Sequence, residues 1–434
     1  MPLAVLGYIM IVAFIVPLQL RKLTPFQALI LVPVVVGFVG GLGTDTFRYA
    51  FLGMRDIFSV FSLLAFSLIY SGIMIVAGLF DPVADFIVRR VKGDPVRVLI
   101  GATILAVVAS LDGDGTSTVI VSCATFMPVF KKLGMHMRYL AGVVVLGSGI
   151  TNIIPHGGPT ARIMAVTGVD TVDLFLLMIP NFITALICLL GFAVYWGKKE
   201  RKRLDYTGTS EMELEPTTSN LSDEEKALRR PKLIWVNLGL TIIVLVSFLA
   251  LGVPSPLSFA LGSAIALVIN YPKTKEGNRV IARNAPAVIT VSMMIMAAGV
   301  MLGILTHSGM ASAIADNISG IVTEGMQPFF AVFIAVISAP GLAILNNDAF
   351  YFGVLPALAE TALLYGFTPE QIGIAAFMGQ PIRAISPLIP ALFLLLSMLD
   401  IDFRDYQKAV FPAAFAMFGV FLLTSLILGT VPIL

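Results

Sequence analysis

The 434-residue chain is 58% hydrophobic and only 12% charged, with a formal net charge of +2 and a mean hydropathy of +0.95. Soluble domains carry about 25% charged residues, so this chain lacks the polar surface that water requires and reads as a membrane protein. Cys123 and Cys188 stand singly in apolar runs, which excludes a disulfide framework or a cysteine zinc centre, and no HExxH or GxSxG motif supports an intramembrane hydrolase.

A crossing helix needs about 20 mainly apolar residues. Residues 3–20, 26–42 and 58–80 read as crossings, and the first lacks the small-residue cleavage site of a signal peptide. Next come two shorter apolar runs, 96–111 and 119–130, around a polar tip at 112–118. Crossings follow at 139–154, 174–196, 233–251, 256–270 and 287–305, then a second interrupted pair, 328–345 and 350–364, around 346–349. The last two crossings are 371–385 and 409–428. A run that turns polar halfway cannot face lipid, because its unwound backbone must be buried in protein or line a wet cavity. Both pairs are therefore expected to be re-entrant hairpins.

With both termini outside and the hairpins entering from opposite faces, the cytoplasmic segments hold all 28 Lys and Arg except Arg48, Arg55, Arg162 and Arg383. That bias predicts a multi-pass protein of a bacterial inner membrane, with Arg48 and Arg55 in an outer loop. His136, beside Lys132 and Arg138, reads as a solvated residue. Setting Pro155 on Pro387 also sets Gly93 on Gly325, Asp114 on Asn346 and Gly134 on Gly366. The expected fold is all-α and polytopic: two inverted repeats, about ten crossings, two hairpins, and broken helices meeting at the midplane. The division is 1–196 for the first repeat, 197–232 for a cytoplasmic linker and 233–434 for the second.

Four breaks carry the chemistry. The first tip reads Asp112-Gly113-Asp114-Gly115-Thr116-Ser117-Thr118 and the second Asn346-Asn347-Asp348; the broken helices run 149–162 and 379–387. Ionisable groups at bilayer depth mark ion or substrate paths by default. Arg162 and Arg383 offer planar forks suited to carboxylates, so they are expected to clamp an organic anion from opposite halves. Thr116, Ser117, Thr118, Asn152, Gly157, Gly158, Pro159 and Thr160 would add contacts from the first half, and Asn347, Gln380 and Ser386 from the second. Asp112, Asp114, Asn346, Asp348 and His156 are the candidates for binding a proton or a metal ion. A cation/proton antiporter is the nearest alternative, with Arg162 as a counter-ion.

At residues 110–118 (SLDGDGTST), 152–162 (NIIPHGGPTAR), 346–356 (NNDAFYFGVLP) and 379–390 (GQPIRAISPLIP) the sequence resembles the citrate–divalent-metal:proton symporter family (CitMHS) of the ion transporter superfamily. The resemblance implies a carrier of citrate or a related di- or tricarboxylate, complexed with a divalent cation such as Mg²⁺ and driven by protons, with no resident cofactor and no nucleic-acid partner. By fold similarity to divalent-anion/sodium symporters it also implies a homodimer, with a fixed scaffold and an elevator-like moving domain of hairpins and broken helices. The family carries Trp where His156 stands and His where Arg383 stands. The extra cation at 383 favours a more anionic load, and His156 adds a titratable group or metal ligand.

Overall fold

Hydrocarbon offers no hydrogen-bond partners, and helices pair their backbone groups within one segment. The computed structural model describes residues 2–91, 93–112, 115–206 and 223–433, and among them every regular element is helical. The first half contains α1 (Leu3–Gln19), α2 (Pro25–Val39), α3 (Asp45–Asp56), α4 (Phe58–Ala77), α5 (Asp81–Val91), α6 (Pro95–Ala109), α7 (Gly115–Leu133), α8 (Met137–Thr151), α9 (Gly158–Thr167) and α10 (Thr171–Arg203). After α11 (Asp223–Leu228) come α12 (Ile234–Leu249), α13 (Ser255–Asn270), α14 (Thr274–His307), α15 (Met310–Ser319), α16 (Phe330–Ile344), α17 (Leu355–Leu364), α18 (Pro369–Phe377), α19 (Gln380–Arg383), α20 (Pro390–Leu399) and α21 (Phe403–Leu428). A π-helix, Ala349–Val354, runs directly into α17. Among the described residues six helices are long and apolar enough to cross a membrane singly, including α4, α10, α14 and α21; α1, α2, α8 and α13 are shorter apolar helices.

Every expected crossing falls on a helix except 371–385, which is divided between α18 and the short α19, and both interrupted pairs fold back as hairpins, α6 with α7 and α16 with α17. The chain differs from expectation where short amphipathic helices escape a span-length hydropathy window. Arg48 and Arg55 lie on α3, not in a loop. That helix has Asp45 in its first turn and Arg55 in its last, complementing the helix dipole, and it buries Ala50 and Gly53. Gly53 lies so close to Gly303 of α14 that a Cβ there would stand 2.4 Å from the Gly303 Cα. α5 and α15 are further short helices within stretches read as connections. α10 continues beyond position 196 to Arg203, and residues 207–222 of the linker lie outside the described residues.

The repeat is visible in the caps. His136 and Thr368 cap α8 and α18, Gly157 and Ile389 cap α9 and α20, and Asp170 and Asp402 cap α10 and α21. Each pair has the spacing that sets Pro155 on Pro387. Gly134 and Gly366, equivalent positions after the hairpins, both have positive φ, +69° and +89°. Gly147 of α8 packs on Ala106 of α6, and the equivalent Gly379 packs on Ser338 of α16.

The halves interlock. The largest apolar cluster draws on α6–α10 and α16–α21 together. The remaining clusters are built mostly from α1–α4 and α12–α15. Equivalent elements of the two repeats thus share a core, so the molecule is two bodies, each contributed by both halves.

Ion pairs secure the basic end of α10. Arg201 Nε donates to Asp94 Oδ1 at 2.7 Å, and Asp94 caps α6 by accepting from the Val96 N–H at 3.1 Å. Glu200 receives the His136 backbone N–H and pairs with its ring at 2.8 Å, so His136 is anchored instead of freely solvated. Burial alone would push the Asp94 carboxyl up, but the Arg201 hydrogen bond, the Val96 N–H and the charges of Arg201 and Arg97 outweigh it and hold it below the usual carboxylate range. A carboxylate depressed by folding adds stability that is complete above its unfolded value of about 3.9 and lost as pH falls through the lower folded value. Asp94→Asn should therefore lower the melting temperature of the purified protein at pH 7. The deficit should shrink as pH is taken from 5 towards 3; a deficit unchanged over that range would remove the pair from the account.

Candidate functional site

Where a helix breaks inside the fold, its freed carbonyls need donors. In the first break, Thr160 Oγ1 donates to Asn152 O at 2.9 Å and Thr171 Oγ1 to Pro155 O at 2.8 Å. His156 Nε2 lies 3.0 Å from Leu111 O at the end of the first hairpin's inbound arm. In the second break, Tyr406 Oη donates to Ala384 O at 2.7 Å and Gln407 Nε2 to Ile385 O at 2.9 Å. Gly157 is required sterically, since a Cβ there would stand 2.2 Å from Asn152 O.

The breaks and tips surround one cavity of about 470 Å³. Four helix starts line it: Gly115 of α7, Gly158 and Pro159 of α9, Ile389 and Ala391 at α20, and Asn346–Asp348 before the π-helix that leads into α17. The repeats meet here, for a Cβ on Gly115 would stand 3.6 Å from the Ala391 Cβ. Helix starts carry a partial positive charge, so their convergence favours an anion; at the second tip the Ala349 N–H is already taken by Asn346 Oδ1 at 2.7 Å, and Pro159 of the α9 start has no N–H to offer. Pro25, Leu64, Leu68 and Val291 of the other body close the remaining wall.

Arg162 Nε and Nη2 both reach Asp348 Oδ1, at 2.8 and 2.7 Å, while Nη1 donates to Gly158 O at 2.9 Å. The pair is largely buried, with side chains 14% and 12% exposed. It joins α9 of the first repeat to the hairpin tip of the second. Arg383 differs: it lines the cavity, and among the described residues its guanidinium makes no ion pair and no side-chain hydrogen bond.

Among the described residues, three cavity residues each leave one polar atom without a partner: His156 Nδ1, Asn347 Oδ1 and Gln380 Oε1. A carbonyl only accepts, so the proton of His156 sits on Nε2 and Nδ1 presents a lone pair. Gln380 Nε2 donates to Tyr351 Oη at 2.7 Å, and Tyr351 Oη donates to Ala376 O at 3.4 Å. Tyr351 thus fixes the Gln380 amide with its oxygen unpaired. Three acceptors call for a hydroxyl, a water or a cation, a requirement distinct from that of the helix starts.

The sequence-derived residues divide accordingly. Asn152, His156, Gly158, Pro159, Arg162, Asn346, Asn347, Asp348, Gln380 and Arg383 line the cavity. Thr118, Gly157, Thr160 and Ser386 do not. Thr118 bonds Ser110 across the hairpin at 3.0 Å, Thr160 holds the break, and Ser386 Oγ accepts from the Leu388 N–H at 3.3 Å. Asp114 lies outside the described residues, as do the side chains of Asp112, Thr116 and Ser117. Ser148 lines the cavity and Tyr351 stands behind it; sequence reading overlooked both, since a lone hydroxyl in an apolar run looks like packing.

The citrate transporter family, CitMHS, matches residues 1–379. The chain belongs to this family. It is a multi-pass membrane transporter, and not an enzyme. Within the family it is 38% identical over 430 residues to a citrate transporter of Bacillus subtilis (strain 168), with 99% of each chain covered. It is 34% identical over 436 residues to a Mg²⁺/citrate complex secondary transporter of the same organism, again with 99% of each covered. The fold is similar to that of the Alcanivorax borkumensis YdaH transporter, at a TM-score of 0.54 and 14% identity over 88% of each chain.

In this citrate-family transporter the buried Arg162–Asp348 pair can be tested by itself. Breaking a buried pair by removing one partner costs about 3–5 kcal/mol, because the other charge stays buried and unpaired. Arg162→Gln and Asp348→Asn should each lower the melting temperature of the purified protein, and the double variant should recover much of the loss. Strictly additive losses would show that the two side chains act independently.

Proposed function

We propose that the chain is a secondary active carrier of citrate or a related di- or tricarboxylate, loaded as a complex with a divalent cation and coupled to protons. The observation that carries this reading is the convergence of four helix starts and of Arg383 on one cavity, with the Arg383 guanidinium and three acceptors left without partners among the described residues. Carboxylates take up the N–H groups and the guanidinium. A carboxylate oxygen cannot bond to Gln380 Oε1, Asn347 Oδ1 or His156 Nδ1, since all are acceptors; a hydroxyl or a bound divalent ion can. Citrate complexed with Mg²⁺ supplies both, in keeping with the similarity to the Mg²⁺/citrate complex transporter of Bacillus subtilis. A volume of about 470 Å³ accommodates such a load with water, within the range of about 300–1,000 Å³ typical of small-molecule sites.

On this reading Arg383 is the principal carboxylate anchor. Arg162, expected from sequence to be an equal partner, serves chiefly to hold Asp348 and the second tip in place. Asp348 is then occupied, and His156 Nδ1 is the described group best placed to take a proton. The moving body is the one built from α6–α10 and α16–α21, sliding in an elevator manner against α1–α4 and α12–α14.

The test is counter-flow uptake of labelled citrate into liposomes, with and without Mg²⁺. Loss of a charge-assisted hydrogen bond costs about 1.5–3 kcal/mol, so Arg383→Gln should weaken apparent affinity by roughly tenfold to a hundredfold, and Arg383→Lys should recover part of it. Wild-type uptake by Arg383→Gln would sink the anchor assignment. Tyr351→Phe frees the Gln380 amide and should raise KM severalfold for metal-complexed citrate while sparing maximal uptake. An equal change for metal-free citrate would assign Tyr351 to packing alone.

A further inference from the structure

A second cavity, of about 670 Å³, opens between the first turn of α8, the last turns of α10 and the second turn of α21, away from the cavity described above. Its rim carries Arg138, Lys199 and Lys408, one cation from each helix, and among the described residues no carboxylate lines it. Asp405, 3.2 Å from Lys408 Nζ, sits outside the rim, and both side chains are more than half exposed. Arg138 is stacked over the Tyr139 ring at 5.2 Å, which leaves its N–H groups available. Below the rim the lining turns apolar, through Trp196 and Phe192 to Gly191 and Cys188.

Charge and depth together select the occupant. Lys199 and Cys188 both lie on α10, and at 1.5 Å per residue they are roughly 16 Å apart along its axis. That is about the half-thickness of a bilayer's hydrocarbon, ~15 Å. A free phosphate would satisfy the rim and leave the apolar floor in water. A neutral lipid would fill the floor and leave Arg138 and Lys199 without a counter-charge among the described residues, with Lys408 held only by the exposed Asp405. Basic pockets between helix ends at a membrane surface suit anionic headgroups, with about 1 kcal/mol for each Lys or Arg near the surface.

We propose that this groove binds an anionic phospholipid, its phosphodiester between Arg138, Lys199 and Lys408 and one acyl chain along α10 past Phe192 towards Cys188. The lipid bridges the ends of three helices that belong to the same core, and none of its three cations takes part in the site proposed for the carried anion. The inference is independent of which solute the protein moves.

The experiment follows the thermal unfolding of the full chain in detergent on titration with phosphatidylglycerol, phosphatidylcholine of the same acyl chains, or soluble glycerol phosphate. A ligand that binds only the native state raises its stability. Phosphatidylglycerol should raise the melting temperature by several degrees and the other two by little. The variant Arg138→Gln/Lys199→Gln/Lys408→Gln should melt like wild type in phosphatidylcholine and lose the increment; Lys199→Gln alone should lose part of it. In native mass spectrometry the triple variant should retain bound phosphatidylglycerol at least tenfold less. Equal stabilisation by phosphatidylcholine, equal stabilisation by glycerol phosphate, or an undiminished increment in the triple variant would each overturn the assignment.

Discussion

The structure turns on unwound backbone held deep inside an apolar protein. Each break frees N–H groups at a helix start and carbonyls at the preceding helix end, and neither can be left bare in hydrocarbon. The fold resolves the two sets differently. Carbonyls are paired by side chains of neighbouring elements, as with Thr171 on Pro155 O, Tyr406 on Ala384 O and Gln407 on Ile385 O. The helix starts are instead turned towards one cavity. What remains is a pocket whose freed carbonyls are already paired, so a bound anion need not repair the breaks themselves.

The repeat explains why there are four such starts and not one. A single hairpin tip would present one dipole end, worth at most a few kcal/mol against the cost of desolvating a multiply charged solute. Duplication with inversion places two tips and two broken helices around a shared axis, and the contact of Gly115 with Ala391 lies where the copies meet. The copies are not equivalent in charge. The first contributes Arg162, tied to Asp348 of the second, and the second contributes Arg383, which makes no ion pair among the described residues. The two arginines do not occupy equivalent positions, for the offset that sets Pro155 on Pro387 sets Arg162 on Leu394 and Thr151 on Arg383; the charges of the site are therefore a departure from the repeat and not a product of it.

Spans, hairpins and the repeat were legible in the sequence because each leaves a periodic or positional mark: apolar runs of crossing length, Gly and Pro at membrane depth, and a fixed offset between the halves. Arg162 and Arg383 stood out for the same reason, as charges where charges are costly. The partner of Arg162 was not legible, because Asp348 is separated from it by 186 positions and Asp112 and Asp114 were nearer in sequence. Nor did the pattern separate polar residues that face the cavity from those that repair the break. Thr160 and Asn152 look alike in a motif, and only the fold turns Thr160 back onto the Asn152 carbonyl. Tyr351, Tyr406 and Gln407 could have been sought by asking which donors follow each break, since a freed carbonyl must be matched. α3, α5 and α15 escaped because an amphipathic helix of about three turns is too short and too polar for a span-length window.

The distribution of cores bears on how such a pocket could face two sides of a membrane. Where the bodies touch, Phe14, Leu18 and Met301 of one meet Ala161, Ala349 and Phe352 of the other, so the seam is largely apolar. A polar tie across it is the bond from Gln19 Nε2 to Ile344 O. Apolar surfaces can slide with little change in buried area, whereas a seam of ion pairs would have to break and re-form them in a low-dielectric setting. An apolar cleft of about 560 Å³ opens on the same seam between Phe259, Leu111 and His156, so packing there is already incomplete. His156 belongs to both this cleft and the polar cavity. Displacement of one body along the other would alter the solvation of its ring while leaving its bond to Leu111 intact, since both residues belong to the hairpin-bearing body. A titratable group whose surroundings change with position, on an element that carries the ligand, is the physical requirement for linking proton uptake to movement of an anion.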